Sequence, residues 1–186
     1  MDKINIEKSI ESINDRQFRT WSFEYFEIIK KRGFDDAPAS RNIHHFFKGG
    51  LRAHTEEMIF IGQSIYDACV FESMDLDELM ISIIFHDAGK SDMYILVNGA
   101  YEHNPNSLIF TKPHNTIGPV DHAEIPILDW DEFGFNFSQN IRLAILSHMG
   151  GWSVTGYYPD TLLASIVSSA DLISSRVGKT GWDNIR

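Results

Sequence analysis

Three apolar stretches of this chain each carry a residue that is costly to bury at a position that should face the core. Ile81, Ile83, Ile84 and Phe85 run directly into the pair His86-Asp87. Ile141, Ala144 and Ile145 lead to His148, and Leu162, Leu163, Ile166, Val167 and Ala170 lead to Asp171. A carboxylate or imidazole among such neighbours must be paired, hydrogen-bonded or metal-bound to offset its lost hydration. Helix bundles build internal metal sites by delivering such residues from several helices to one place. Each residue alone has a plainer explanation: a hydrogen-bonded core histidine at 148, a chance dipeptide at 86–87, a cap or an Arg176 partner at 171. The joint pattern constrains the chain to a helical fold with a polar centre inside its core.

The remaining periodicity is also helical. Ile6, Ile10, Ile13, Phe18, Trp21, Tyr25 and Ile28 predict one helix over 4–31, ended by Gly33 and a loop over 35–40. A second helix is expected over 51–71, after a turn at Gly49-Gly50 and with His54 in its first turn. Asp75 or Asp77 can cap the helix leading to the HD pair, and Gly89 is placed to stop it. Residues 91–119 show no helical period. Within them Asn98-Gly99 predicts a type I′ hairpin over 94–101, and a loop of this length suggests a lid or binding loop. Helical patterns resume near 120–132, 138–149 and 160–177. The expected class is all-α, a single domain over 1–186 with an N-terminal helix and loop (1–37) and a core over 38–178.

Composition narrows the function. With 186 residues, 43% of them hydrophobic and 23% charged, the chain can bury a full core. Its one cysteine excludes an internal disulfide and a thiolate zinc site. That residue, Cys69, is read as a small core side chain. No run is long enough to cross a bilayer and the N-terminus lacks a signal-peptide core, so the expected location is the cytoplasm. A net charge of −10 argues against tight duplex DNA binding, which needs a basic surface, but leaves a nucleotide or short oligonucleotide open.

Histidines and carboxylates without thiolates suit Mn, Fe, Co, Ni or Zn. The order His54 … His86-Asp87 … Asp171, with HDAGK at 86–90, resembles the signature of the HD superfamily of metal-dependent phosphohydrolases. The stretches IHHFFKGGLRAH (43–54), VDHAE (120–124), LSHMGG (146–151) and SADLISSR (169–176) resemble more specifically the HD domains of YhaM-like 3′→5′ exoribonucleases. The likeness covers about residues 38–178. The chain departs from that pattern with Asp121-His122 and Ser147-His148, keeping the second histidine each time. It also lacks the OB-fold of the full-length exonucleases, which again points to short substrates.

The resemblance implies an all-α fold and two divalent ions. His54, His86, Asp87 and Asp171 would hold the first, and His122 and His148 the second, with Asp87 bridging. It implies hydrolysis of a phosphate ester of a nucleotide, cyclic nucleotide or short oligonucleotide by a metal-activated hydroxide. Lys90 would contact the substrate phosphate, unless it is a surface lysine favoured by a helix C-terminus. His45, as an outer partner of the ligands or a phosphate contact, and Trp152, Tyr157 and Tyr158, as base-stacking groups unless they are core or lid packing, are further substrate-binding candidates. Arg52 and Arg176 are weaker ones that surface salt bridges would also explain. His103 and His114 read as ordinary loop residues. The competing readings are a mononuclear nucleotidase or dNTP triphosphohydrolase, a non-catalytic nucleotide-sensing module, and a mixed-valent di-iron oxygenase on the same scaffold.

Overall fold

The N-terminal apolar pattern resolves into two helices, α1 (Ile6–Glu11) and α2 (Arg16–Lys31). The computed structural model describes residues 4–69, 74–111, 120–152 and 156–177. The chain continues through α3 (Gly50–Ala68), α4 (Leu76–Phe85), β1 (Tyr94–Val97), β2 (Ala100–His103), α5 (Leu108–Thr111), α6 (Glu124–Phe133), α7 (Gln139–Ser147) and α8 (Leu162–Val177). Single 3-10 turns stand at Ala88–Lys90 and Gly150–Trp152.

The expected single helix over 4–31 breaks at Asn14 and Asp15 for a tertiary reason. The backbone N–H groups of Asn14 and Asp15 donate to the two carboxylate oxygens of Asp77, at 2.9 and 2.8 Å. Asp15 then caps α2 by accepting from the Phe18 N–H. Of the two candidate caps for α4, Asp75 serves, accepting from the Asp77 N–H. That leaves Asp77 to tie the start of α4 to the break between α1 and α2.

α4 is apolar on every side, with Leu79, Met80, Ile81, Ile83, Ile84 and Phe85 all buried. Such a helix belongs in the middle of a fold. It packs against α3 and α7, and α8 in turn packs against α3, α4 and α7, so these four form a bundle. An aromatic cluster closes one flank. Tyr25 meets the edges of Phe85 and Trp130, and Trp130 lies 4.4 Å from Phe137 between ring centroids. Inside this cluster Tyr25 Oη donates to Asp129 Oδ2 at 2.9 Å, and Arg32 pairs with the same carboxylate.

The hairpin forms as expected. Asn98 and Gly99 both have positive φ, 50° and 82°, the type I′ signature, and Tyr94 pairs with His103 at the open end. Two expectations fail. α3 ends at Ala68, which leaves Cys69 exposed beyond the helix instead of packed in the core. Gly89 does not stop α4, because the helix ends at Phe85 with His86 as its cap. No helix among the described residues is long and apolar enough to cross a membrane.

Candidate metal centre

The bundle brings its polar intruders to one place. His54 comes from the early part of α3, His86 and Asp87 from the end of α4, and His148 from the end of α7. His122 stands in the turn before α6, and Asp171 on α8. Asp87 occupies the middle. Its Oδ2 lies 3.3 Å from His86 Nε2 and 3.8 Å from His54 Nε2. Its Oδ1 lies 3.1 Å from His122 Nε2 and 3.5 Å from His148 Nε2. Asp171 Oδ1 lies 3.2 Å from His54 Nε2. The ligand atoms fall into two groups with metal-site spacing, His54/His86/Asp87 and Asp87/His122/His148, which share Asp87.

The hydrogen bonds on the far side of each imidazole determine what faces inward. His86 Nδ1 lies 2.7 Å from Ile83 O and His148 Nδ1 2.7 Å from Ile145 O. A carbonyl only accepts, so both Nδ1 atoms must carry the proton. His122 Nδ1 faces Asp121 Oδ1 at 3.0 Å, a carboxylate that also accepts. His54 Nδ1 lies 2.9 Å from Ser174 Oγ, whose own proton goes to Glu57 Oε2 at 2.8 Å, so His54 donates there too. All four Nε2 atoms therefore present lone pairs to the centre when the rings are neutral. Ligating histidines are oriented by this kind of outer partner.

Those lone pairs meet other acceptors. His122 Nε2 and His148 Nε2 stand 3.3 Å apart. Two nitrogens bound to one tetrahedral zinc-type ion at about 2.0–2.1 Å are separated by about 3.3 Å. His54 Nε2, His86 Nε2 and Asp87 Oδ1 are buried with no hydrogen-bond partner. Buried acceptors facing acceptors need positive charge among them, from protons or from divalent ions. The residues present thus fit a divalent-metal centre of nitrogen and oxygen ligands.

The electrostatics follow from burial and the shared carboxylate. Burial pushes His54 and His148 below the usual histidine range, more strongly than Asp171 and Asp87 respectively pull them up. Burial acts the same way on His86, but Asp87 and Asp171 outweigh it and hold that imidazole up. His122 is likewise raised against burial and Lys90 by Asp121 and Asp87. Burial would raise Asp87; the charges of Lys90 and His86, with the His122 and His148 rings against its other oxygen, instead hold it well below the carboxylate range.

The other sequence candidates separate. Lys90 lies at the centre, donating from Nζ to Asp87 Oδ2 at 2.7 Å. His45, expected as an outer partner of the ligands or as a phosphate contact, is buried beside His54 with its Nε2 3.0 Å from Glu57 Oε2. It stands among the side chains around His54, on the Glu57 side. Its neighbour His44 also stands beside the cluster; the His44 and His45 rings lie 5.1 and 5.3 Å from that of His54 between centroids. Arg52 is taken out of the phosphate reading by three carboxylates, Glu7, Asp35 and Glu56, which it ties together across α1, the 35–40 loop and α3. Trp152 ends a 3-10 turn, and its side chain lies outside the described residues, as does His114. Arg176 is exposed near the end of α8. The sequence reading missed Glu57, Ser174 and Asp121. Glu57 stands three residues after His54 and Ser174 three after Asp171, so helical spacing could have found both.

No family model matches the chain, and no solved structure matches it. Three curated relatives are similar over part of it. The 3′-5′ exoribonuclease YhaM of Bacillus licheniformis is 38% identical over 65 residues, 34% of this chain. The proteins of that name from Shouchella clausii and Bacillus subtilis are each 37% identical over 65 residues. The chain spans 20% of the length of each of these relatives.

Proposed function

We propose that this chain is a metal-dependent phosphohydrolase of the HD type, acting on phosphate esters of a nucleotide, cyclic nucleotide or short oligonucleotide. The observation that carries the reading is the convergence of four tethered Nε2 atoms on the two oxygens of one buried carboxylate, Asp87. His54, His86, Asp87 and Asp171 would hold one ion; Asp87, His122 and His148 would hold a second. Divalent ions bound there supply Lewis acidity toward a phosphoryl oxygen and lower the pKa of water into the neutral range.

The chain's own residues do the rest. Asp87 stays ionised through its cationic neighbours and so keeps both oxygens available as acceptors. Lys90 has an ammonium at the centre, positioned to hold a phosphate oxygen as a point charge. Ile83, Phe85, Ala88 and Ala170, next to the ligands in sequence, are all buried, so the ligands rise from a dry core. The similarity to exoribonucleases supports a nucleotide ester, and the net charge of −10 favours a short one.

The test is a metal analysis of the purified protein, followed by a hydrolysis screen of mononucleotides, cyclic nucleotides and short oligonucleotides. Up to two ions per chain and an activity lost on chelation are expected. Tight metal binding without turnover of any ester would favour a nucleotide sensor. A protein that takes up no divalent ion would overturn the reading.

A further inference from the structure

A groove of about 810 Å³ runs between the 41–46 loop and the hairpin, lined by Arg41, Phe46, Tyr101, Glu102 and His103 among others. Its walls have a chemistry the metal centre does not use. Phe46 leaves 55% of its surface exposed, on a loop where Ile43 and Phe47 are exposed as well. On β2, Tyr101 and His103 share one face, since side chains two apart in a strand point the same way. Across the hairpin they meet Leu96 and Tyr94, and the His103 and Tyr94 rings stand 5.3 Å apart. The groove therefore has aromatic groups on both sides. Arg41 is exposed at its edge and has no ion-pair partner among the described residues, whereas Arg32, Arg52 and Arg142 are each committed to a carboxylate.

Both walls are rooted in the metal centre. His44, three residues after Arg41, has its ring centroid 5.1 Å from that of His54. Tyr94, four residues after Lys90, lies where the charges of Lys90, Asp87 and Arg41 all act on its phenol. None of the groove's lining residues is a ligand, and Tyr94, which meets His103 of the groove and feels the charges of Lys90 and Asp87, links it to the Lys90 side of the site.

We infer that this groove seats the nucleotide next to the scissile phosphate of a single-stranded oligonucleotide, with its base stacked on Phe46 and Tyr101 and its phosphate on Arg41. Stacking on aromatic side chains is tolerant of sequence, because every base has a π-face, and a single-stranded backbone needs a cation beside it. Glu102 on the opposite rim repels a second phosphate and confines the backbone to the Arg41 side. With one unpaired arginine among its described lining residues, the groove suits a short strand and offers little to a duplex. This assignment rests on the phosphohydrolase reading for its purpose, but its binding can be measured without turnover.

The probe is a fluorescently labelled single-stranded pentanucleotide, followed by anisotropy against the full chain, metal-free and metal-loaded. Arg41→Ala and Phe46→Ala are each expected to weaken binding by about tenfold or more. Their loss of kcat/KM on the pentanucleotide should exceed their loss on bis(p-nitrophenyl) phosphate, which has no neighbouring nucleotide, and should fall mainly on KM. Thermal melts at wild-type temperature show that these exposed substitutions leave the fold intact. Variants that bind and cleave the pentanucleotide like wild type would overturn the assignment. So would a wild type that binds the pentanucleotide no better than a mononucleotide, the result expected if the groove receives a protein partner. If the wild type binds through Arg41 and Phe46 but hydrolyses no ester when loaded with metal, the phosphohydrolase reading falls and the groove assignment stands.

Discussion

Lys90 Nζ donates to Asp87 Oδ2 at 2.7 Å, so one oxygen of the shared carboxylate already faces a cation supplied by the chain. Asp87→Asn should abolish metal uptake and hydrolysis together. It also strands the Lys90 ammonium, and removing one partner of a buried pair costs about 3–5 kcal/mol. The double variant Asp87→Asn/Lys90→Met should therefore melt higher than Asp87→Asn alone. Lys90→Met by itself should keep its metal and lose about 10–100-fold in turnover, the scale of a charged hydrogen bond. Metal content, melting temperature and ester hydrolysis of the three variants check this. An Asp87→Asn protein with full metal and full hydrolysis would show the site to be drawn wrongly.

The tether of His54 runs through side chains, from Nδ1 to Ser174 Oγ and on to Glu57. Ser174→Ala and Glu57→Gln should weaken metal binding by about 10–100-fold, the usual cost of losing an outer partner. Ser174→Thr, which keeps the hydroxyl, should restore most of it. Metal titration by calorimetry reads the difference. Unchanged affinity in Ser174→Ala would mean that His54 is held by packing alone.

Five histidines give the metal-free protein a pH optimum. Burial lowers His44 to about 3, and lowers His54 and His148 as well. His86 and His122 are raised, because their carboxylate neighbours outweigh burial. The unfolded chain titrates all five near 6.5. As the pH falls below that value, the unfolded state takes up protons at 44, 54 and 148 that the folded state refuses, and stability falls. As the pH rises above it, the folded state still holds protons at 86 and 122 that the unfolded chain has released. That contribution is lost as the pH passes through the folded values. Melting temperature in chelator should peak near pH 6.5, and a monotonic profile would contradict the assignment. Metal binding near that pH should also release protons.

Gly89 makes room for the second half of the centre. A Cβ there would stand 2.2 Å from the His122 carbonyl oxygen, a backbone atom that cannot give way cheaply. Gly89→Ala should displace the turn carrying His122, cost about 1–3 kcal/mol as overpacking, and reduce metal stoichiometry from two to one. Elemental analysis beside a thermal melt decides it. Two ions at wild-type stability would show that the turn can move freely.

The parts legible in the sequence were those written locally. Apolar periodicity placed α4, α7 and α8, the Asn98-Gly99 pair placed the hairpin, and polar residues at core positions marked His86, Asp87, His148 and Asp171, to which the family resemblance added His54 and His122. What escaped depends on partners far along the chain. The break before α2 is made by Asp77, 62 and 63 residues away from the groups it caps. Arg52 read as a phosphate contact or a salt-bridge residue, and its partner Glu7, 45 residues earlier, was not legible. The place of the His44-His45 pair was not legible either: both rings stand beside His54, and His45, with a positive φ of 44°, faces Glu57.

The aim of His86 and His148 is fixed by carbonyls of the main chain, at Ile83 and Ile145. No side-chain substitution at 83 or 145 can delete those acceptors. The aim of His54 and His122 depends on three replaceable side chains, Ser174, Glu57 and Asp121. Random mutagenesis scored by metal retention should therefore be lopsided. Hits that spare the ligands themselves should gather at 57, 121 and 174, while conservative aliphatic exchanges at 83 and 145 pass unnoticed. Each of the two ligand groups is mutationally brittle at one histidine and protected by the backbone at the other.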